Sequence, residues 1–271
     1  MFKHLLSGIL FISLLFLLGC SDDGNSTSGG GGGGGLQDGA TKTITAGGTS
    51  IEVAFVSAGT FTMGDREIAN IWPNVNGWGE VERQVMLTQG FWISKYPITQ
   101  AQYQAVIGTN PSFFSGNPNN PVESVNWFNA VAFAEAVGGR LPTEAEWEFA
   151  ARGGNRSQGF IYSGSNNLSE VGWFWENIPT EGTQPVGLLK PNELGIYDMS
   201  GNVWEWTSDW WSNFGTASVV DPTGPITGSN RVLRGGSWFI FAELCRVASR
   251  YSYFPDYRWN YFGFRVVFPA I

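Results

Sequence analysis

The chain has almost no histidine and almost no cysteine: one His and two Cys in 271 residues. The histidine, His4, and one cysteine, Cys20, belong to an N-terminal stretch that reads as an export signal. Lys3 and His4 form its positive start, residues 5–18 its apolar run, and Leu17-Leu18-Gly19-Cys20 a small-residue cleavage site ending in cysteine. Removal of residues 1–19 leaves no histidine, which excludes a His-ligated zinc or iron site and a Ser-His-Asp or Cys-His nucleophile pair. With Cys20 modified, Cys245 has no partner for an intrachain disulfide, in a compartment that would permit one.

Charge is scarce too. Only 14% of residues are charged and the net charge is −8, which loss of Lys3 makes one unit more negative. No phosphate-tracking surface can be built from this balance, so nucleic acid is not an expected partner. The apolar run of residues 5–18 falls short of the roughly 20 residues of a membrane span, which favours a cleaved leader over a transmembrane anchor.

Glycine and tryptophan are abundant instead, at 37 and 13 residues. They point to a loop-rich fold with much irregular backbone rather than a helix bundle or a regular barrel. Residues 29–35 are unbroken glycine, a run that cannot bury enough apolar surface to offset its ordering entropy. The expected organisation is a leader (1–19), a flexible tether (20–40) and one folded domain (41–271) large enough for a substantial core.

Within that domain, residues 42–45, 51–56, 59–64, 85–87 and 91–94 have the Thr, Ile and Val content of short strands. Thr99 caps a helix that Gly108 stops. A polar loop over 110–121 precedes a second helix with Ala130, Phe133, Ala134 and Val137 on its apolar face, ended by Gly138-Gly139. Thr143 and Glu146 form a capping box at the start of a third, which runs to Gly153-Gly154.

The segment from Arg231 to the C-terminus mixes two kinds of residue. One set reads as frame: Arg234-Gly235-Gly236-Ser237-Trp238, Cys245-Arg246, Ala248, Arg250, Pro255-Asp256, Arg258 and Gly263-Phe264-Arg265. The other fills the gaps: Phe239, Ile240, Phe241, Leu244, Ser249, Tyr251, Ser252, Tyr253, Phe254, Tyr257, Trp259, Asn260 and Tyr261. Residues 251–254 keep neither a period of two nor one near 3.6. A Tyr-, Trp-, Phe- and Ser-rich filler resembles the composition of selected binding surfaces; the alternative is that these aromatics pack beneath irregular loops.

Several motifs carry a family resemblance. They are Gly59-Thr60-Phe61-Thr62-Met63-Gly64, Tyr96-Pro97-Ile98-Thr99, Gly139-Arg140-Leu141-Pro142-Thr143-Glu144-Ala145-Glu146-Trp147-Glu148, Asp198-Met199-Ser200-Gly201-Asn202-Val203-Trp204-Glu205-Trp206, Arg234-Gly235-Gly236-Ser237-Trp238 and Gly263-Phe264-Arg265. Together they resemble the formylglycine-generating (sulfatase-modifying factor) family, in family order, over residues 53–267. The resemblance implies an α+β fold of the C-type-lectin-like kind, with sparse secondary structure and long loops. It also implies a Cu(I) site held by two thiolates after the Gly-Gly-Ser-aromatic motif, for oxidation of a substrate cysteine. Here the first thiolate position is Ile240. Cys245 stands at the spacing of the second, yet it equally fits a buried structural cysteine. No catalytic residue and no cofactor for catalysis are therefore expected. The iron-dependent sulfoxide synthases of the same family need a histidine cluster that the chain lacks.

The frame-and-filler pattern further resembles the variable proteins of diversity-generating retroelements that use this fold, their lipid-anchored treponemal members included. There, adenines of a template are copied with errors, so that an Asn codon scatters to Phe, Tyr, Ile, Leu or Ser. Those are the filler residues here apart from Trp259, which needs another parent codon. The resemblance implies a diversified ligand-binding face made of the 13 filler residues over a variable region at about 234–267. Its expected partner is a variable ligand, protein or glycan, on another cell. Leu17-Leu18-Gly19-Cys20 resembles a bacterial lipobox, which implies diacylglycerol on Cys20 and anchorage to a membrane, and Ser21 favours the outer membrane with exposure at the cell surface. The loop at 198–205 resembles a structural Ca²⁺ loop of the family, implying side-chain oxygens of Asp198 and Glu205 and backbone oxygens of Gly201 and Val203. A tight loop satisfied without metal is the alternative. Two other functions stay open: a fixed envelope-assembly lipoprotein, and an oxidase that would need Cys245 exposed with a depressed pKa.

Overall fold

Each of three helices begins at a side chain that can accept a hydrogen bond from the otherwise unpaired N–H groups of a first turn. Thr99, Asn126 and Thr143 cap α1 (Gln100–Ile107), α2 (Trp127–Ala136) and α3 (Glu144–Ala151), and in each the residue three positions into the helix returns the bond to the cap's own N–H. Gly108 closes α1 in the left-handed region, at φ 88°. α3 stops at Arg152, just before the expected Gly153. These helices come from a computed structural model, which describes residues 36–65, 82–213 and 215–270. The expected leader, the lipid site at Cys20 and residues 20–35 of the expected tether lie outside the described residues. Among the described residues no helix is long and apolar enough to cross a membrane.

The strands before the helices are β1 (Thr41–Ala46), β2 (Thr49–Val56), β3 (Gly59–Met63), β4 (Arg83–Leu87) and β5 (Phe91–Ser94). After α3 come one-turn helix α4 (Leu168–Val171), then β6 (Trp204–Trp210), β7 (Val219–Val220), β8 (Arg231–Arg234), β9 (Arg250–Tyr253), β10 (Phe262–Phe264) and β11 (Val267–Pro269). They form three small sheets, ordered β1-β2-β5-β11, β10-β6-β8-β9 and β3-β4-β7. β11 pairs antiparallel with β5, with Val267 opposite Ile93, so the end of the domain closes onto its beginning.

One core cluster packs Val53, Phe55, Phe133, Trp206 and Phe264, and another packs Val56, Val85, Trp147, Phe149 and Val267. Removing such large side chains from water is the main favourable term holding a sparse framework of short elements together.

Residues 250–253 correct the sequence reading, which found no strand period there. β9 pairs antiparallel with β8 in an unbroken register, Arg234 opposite Arg250 and Arg231 opposite Tyr253. Its alternation is real, because Arg250 turns to a buried carboxylate while Tyr251 and Tyr253 pack against the core from the other side. Polar and aromatic replace the usual polar and aliphatic, and half-burial of both tyrosines hides the period.

Candidate ligand-binding site

The segment from Arg234 to Arg265 is fastened by its arginines. α3 carries Glu144 and Glu148 four residues apart, hence on one side of the helix. Arg250 Nη2 donates to Glu144 Oε2 at 2.7 Å, and Arg234 Nη2 donates to Glu148. Arg234 Nη1 also donates to the carbonyls of Ala248, at 2.9 Å, and Ser249. Arg265 does the same work on β6, donating to Glu205 from Nε at 2.6 Å and Nη2 at 2.8 Å and to the Ser94 carbonyl at 2.9 Å. All three arginines are buried. Such pairs fix position more than they add net stability, because desolvating both ions offsets most of their attraction.

Gly235 and Gly236 connect β8 to the rest of the segment. Gly236 has φ 76°, and a Cβ there would meet Cys245 Sγ at 2.5 Å. Glycine is therefore required twice over, by conformation and by space. Ser237, Trp238, Cys245, Arg246, Ala248, Gly263 and Phe264 are buried as well. Pro255, Asp256 and Arg258, which the sequence reading counted with them, are at least partly open to solvent.

The filler residues keep some exposure with two exceptions, although Ile240, Tyr251, Tyr253 and Tyr261 also pack against the core. Phe239, Phe241, Phe254, Tyr257 and Trp259 are exposed, and Ile240, Tyr251, Ser252, Tyr253, Asn260 and Tyr261 are half-buried. Leu244 and Ser249 are corrections, at 3% and 0% exposure. The Ser249 hydroxyl donates to the Glu243 carbonyl at 3.2 Å while its own carbonyl receives Arg234, so it belongs to the frame. Leu244 lies in a short 3-10 turn, Ala242–Cys245, that packs it into the core.

The outward rings are organised. Phe239 stacks on Tyr261 with centroids 5.9 Å apart, and Tyr261 stacks on Trp259 at 5.9 Å with planes 3° from parallel. This stack stands between two clefts. The first, about 510 Å³, has Trp204, Leu244 and Ser237 buried in its lining and Phe239, Ile240, Phe241, Tyr251, Tyr261 and Trp175 around them. The second, about 480 Å³, is lined on its far side by Phe113, Ser124, Glu181 and Arg258.

Sequence reasoning missed the lining residues that lie outside the C-terminal segment. Trp175 is 51% exposed and meets Phe239 edge-on at 5.5 Å, and its backbone N–H donates to the Ile240 carbonyl at 3.1 Å. Phe113 stands on the polar loop before α2 and is exposed. The available signal was an aromatic run, Trp173-Phe174-Trp175, in a segment with no strand or helix pattern.

Neither metal chemistry fits the residues present. Ile240 offers no sulfur to copper, and Cys245 is fully buried, with burial pushing its thiol well above its ordinary pKa. A thiolate pair cannot form there. At the loop 198–205, both Glu205 oxygens receive Arg265 and Oε2 also accepts the Trp147 indole N–H at 2.6 Å. Glu205, of the expected Ca²⁺ ligand set of Asp198, Gly201, Val203 and Glu205, thus already has both oxygens engaged by a cation within the core. Asp198 accepts from the Gly187 N–H at 2.7 Å, burial raises its pKa to about 6, and among the described residues no cluster of three or more metal-ligating side chains occurs. Gly201 donates its N–H to the Gly235 carbonyl at 2.7 Å, and Trp238 donates to the Asn202 carbonyl at 3.0 Å, so the loop serves as a brace for the Gly-Gly-Ser-Trp turn.

The family model for the sulfatase-modifying factor enzyme 1-like domain matches residues 41–270. Among solved structures, the chain is similar to variable protein 1 of Treponema denticola, with a TM-score of 0.75 and 30% identity over 85% of this chain and 99% of that one. That structure has the expected C-type-lectin-like α+β architecture. Curated relatives include the chaperone protein LppX of Paenibacillus barcinonensis, 38% identical over 55% of this chain and 69% of that protein. The formylglycine-generating enzyme of Streptomyces coelicolor is 44% identical over 57% of this chain, which spans about half, 54%, of the enzyme's length.

Proposed function

We propose, for a chain that belongs to the sulfatase-modifying factor enzyme 1-like family, a non-catalytic role: display of a diversified aromatic face that binds ligands from a rigid scaffold. One observation carries the reading. Within a single segment, 11 of the 13 residues expected to vary are exposed or half-exposed, while Arg234, Arg250 and Arg265 among them are buried and tied to α3 and β6. A face ordered before contact avoids the entropy of arranging loops on binding. Tyrosine and tryptophan give it large contact area with few rotatable bonds. Anchorage through lipid on Cys20, exposure at the surface of an outer membrane, and a protein or glycan ligand on another cell complete the proposal. Similarity to the treponemal variable protein supports it. Calcium plays no part in it, given the engagement of Glu205 by Arg265.

Sequencing the DNA beside the gene tests the diversification. The expected result is a near-copy of the coding segment for residues 234–267, differing at adenines under the filler codons and accompanied by a reverse transcriptase gene. No such copy, in a complete genome, would make the aromatics inherited residues of one fixed function. The relation to LppX favours one second reading, a fixed lipoprotein that assists another envelope protein.

A further inference from the structure

The first cleft is a socket without charge. Its buried lining is Trp204, Leu244 and Ser237, its half-exposed rim includes Trp175, Phe239 and Phe241, and none of its lining residues is ionisable at neutral pH. We infer that this cleft receives a large apolar side chain projecting from a polypeptide partner, with Trp175 as its constant wall; the inference rests on the binding-face reading above.

A charged group entering such a lining would lose water and find no counter-charge. An apolar group would lose only unfavourable exposure, and side chains seated in desolvated aromatic pockets dominate the energy of protein interfaces. The size agrees: an apolar cavity of roughly 150 Å³ already holds a benzene ring, and about 510 Å³ admits an indole or phenyl ring with adjoining atoms. A sugar is a poorer fit, because its hydroxyls need several directed partners. The lining offers no carboxylate or carboxamide; its side-chain oxygens are the Tyr251 and Tyr261 hydroxyls and that of Ser237, which already accepts from the Phe239 N–H at 3.4 Å. A small free molecule fits less well still. Phe113, Phe254, Tyr257 and Trp259 stay exposed outside the cleft, and only an occupant with a surface of its own would cover them.

Trp175 gives the socket a part that diversification would leave alone. It lies outside residues 234–267, and its N–H bond to the Ile240 carbonyl is made by backbone whatever side chain stands at 240. Every version of the face would then share one aromatic wall and differ in the others.

Titrating the full chain with N-acetyltryptophanamide and, separately, methyl β-glucoside, read by saturation-transfer NMR, tests this. The amide is expected to bind, Trp175→Ala to weaken it by roughly tenfold or more, and Ile226→Ala, at an exposed residue that lines neither cleft, to leave it within about twofold. Phe241→Asp, a carboxylate at the rim, provides a second variant with the same expected loss, and thermal melts of each confirm the fold. Preference for the glucoside, amide binding indifferent to Trp175→Ala and Phe241→Asp, or no binding of either probe would overturn the assignment. The search for a template copy decides the binding-face reading independently of these outcomes.

Discussion

Phe239 and Tyr261 lie ring on ring, 5.9 Å between centroids and 17° from parallel, and both belong to the lining of both clefts. A change at either ring alters two sites at once. Phe239→Ala and Tyr261→Ala should therefore combine non-additively, with a coupling of about 0.5–1.5 kcal/mol in a double-mutant cycle read by urea denaturation. Additive costs would mean that the rings do not support each other.

The arginines should behave unlike one another although all were counted as frame. Arg234→Ala leaves Glu148 buried beside a lost guanidinium and removes donors from the Ala248 and Ser249 carbonyls. It should cost about 3–5 kcal/mol of stability. Arg258 is exposed, and Arg258→Ala should stay within about 0.5 kcal/mol. Chemical denaturation of both variants distinguishes them.

Cys245 should resist alkylation in the native protein. Its thiol is buried, and burial pushes its pKa up, so little thiolate exists to react and reagent cannot reach it. Iodoacetamide at pH 8, read by mass spectrometry of the peptide containing Cys245, should label it only after unfolding. Rapid native labelling would reopen the oxidase reading.

Stability should fall between weakly acidic and neutral pH. Burial raises Asp198 to about 6 and Asp209 to about 7, from an ordinary value of 3.8 for each. The folded state holds these two protons where the unfolded state has released them, so their contribution is complete at low pH and is lost as pH rises through 6 and 7. Glu148 runs the other way: burial alone would raise it, but Arg152 and Arg234 hold it below its ordinary value. Its contribution is present above about pH 4.5 and is lost as pH falls below that. Melts from pH 4 to 8 should show an optimum between these limits. Asp209→Asn should flatten the neutral side by on the order of 4 kcal/mol, at about 1.4 kcal/mol per pKa unit.

The helices were legible because capping is local. Thr99 and Thr143 announce helix starts through side chains three residues apart, and α1 and α3 begin where they say. The strands β1 to β5 were legible from their Thr, Ile and Val. β9 was not, since one face is half-buried tyrosine and the other carries a buried arginine bound to α3. Eleven of the 13 filler residues keep some exposure, and Leu244 and Ser249 do not, because their burial depends on a turn and an arginine that composition does not reveal. Trp175 escaped because only folding brings the loop before residue 178 against Ile240.

The division between a fixed frame and a changeable face is tested most directly by substituting every position from 234 to 267 and scoring protease resistance of the folded domain across the library. The account predicts tolerance at Phe239, Ile240, Phe241, Phe254, Tyr257, Trp259 and Asn260, and intolerance at Arg234, Gly236, Leu244, Ser249, Arg250 and Arg265. If the outward aromatics proved as intolerant as the buried arginines, they would be parts of the core, and the face would have no freedom to vary.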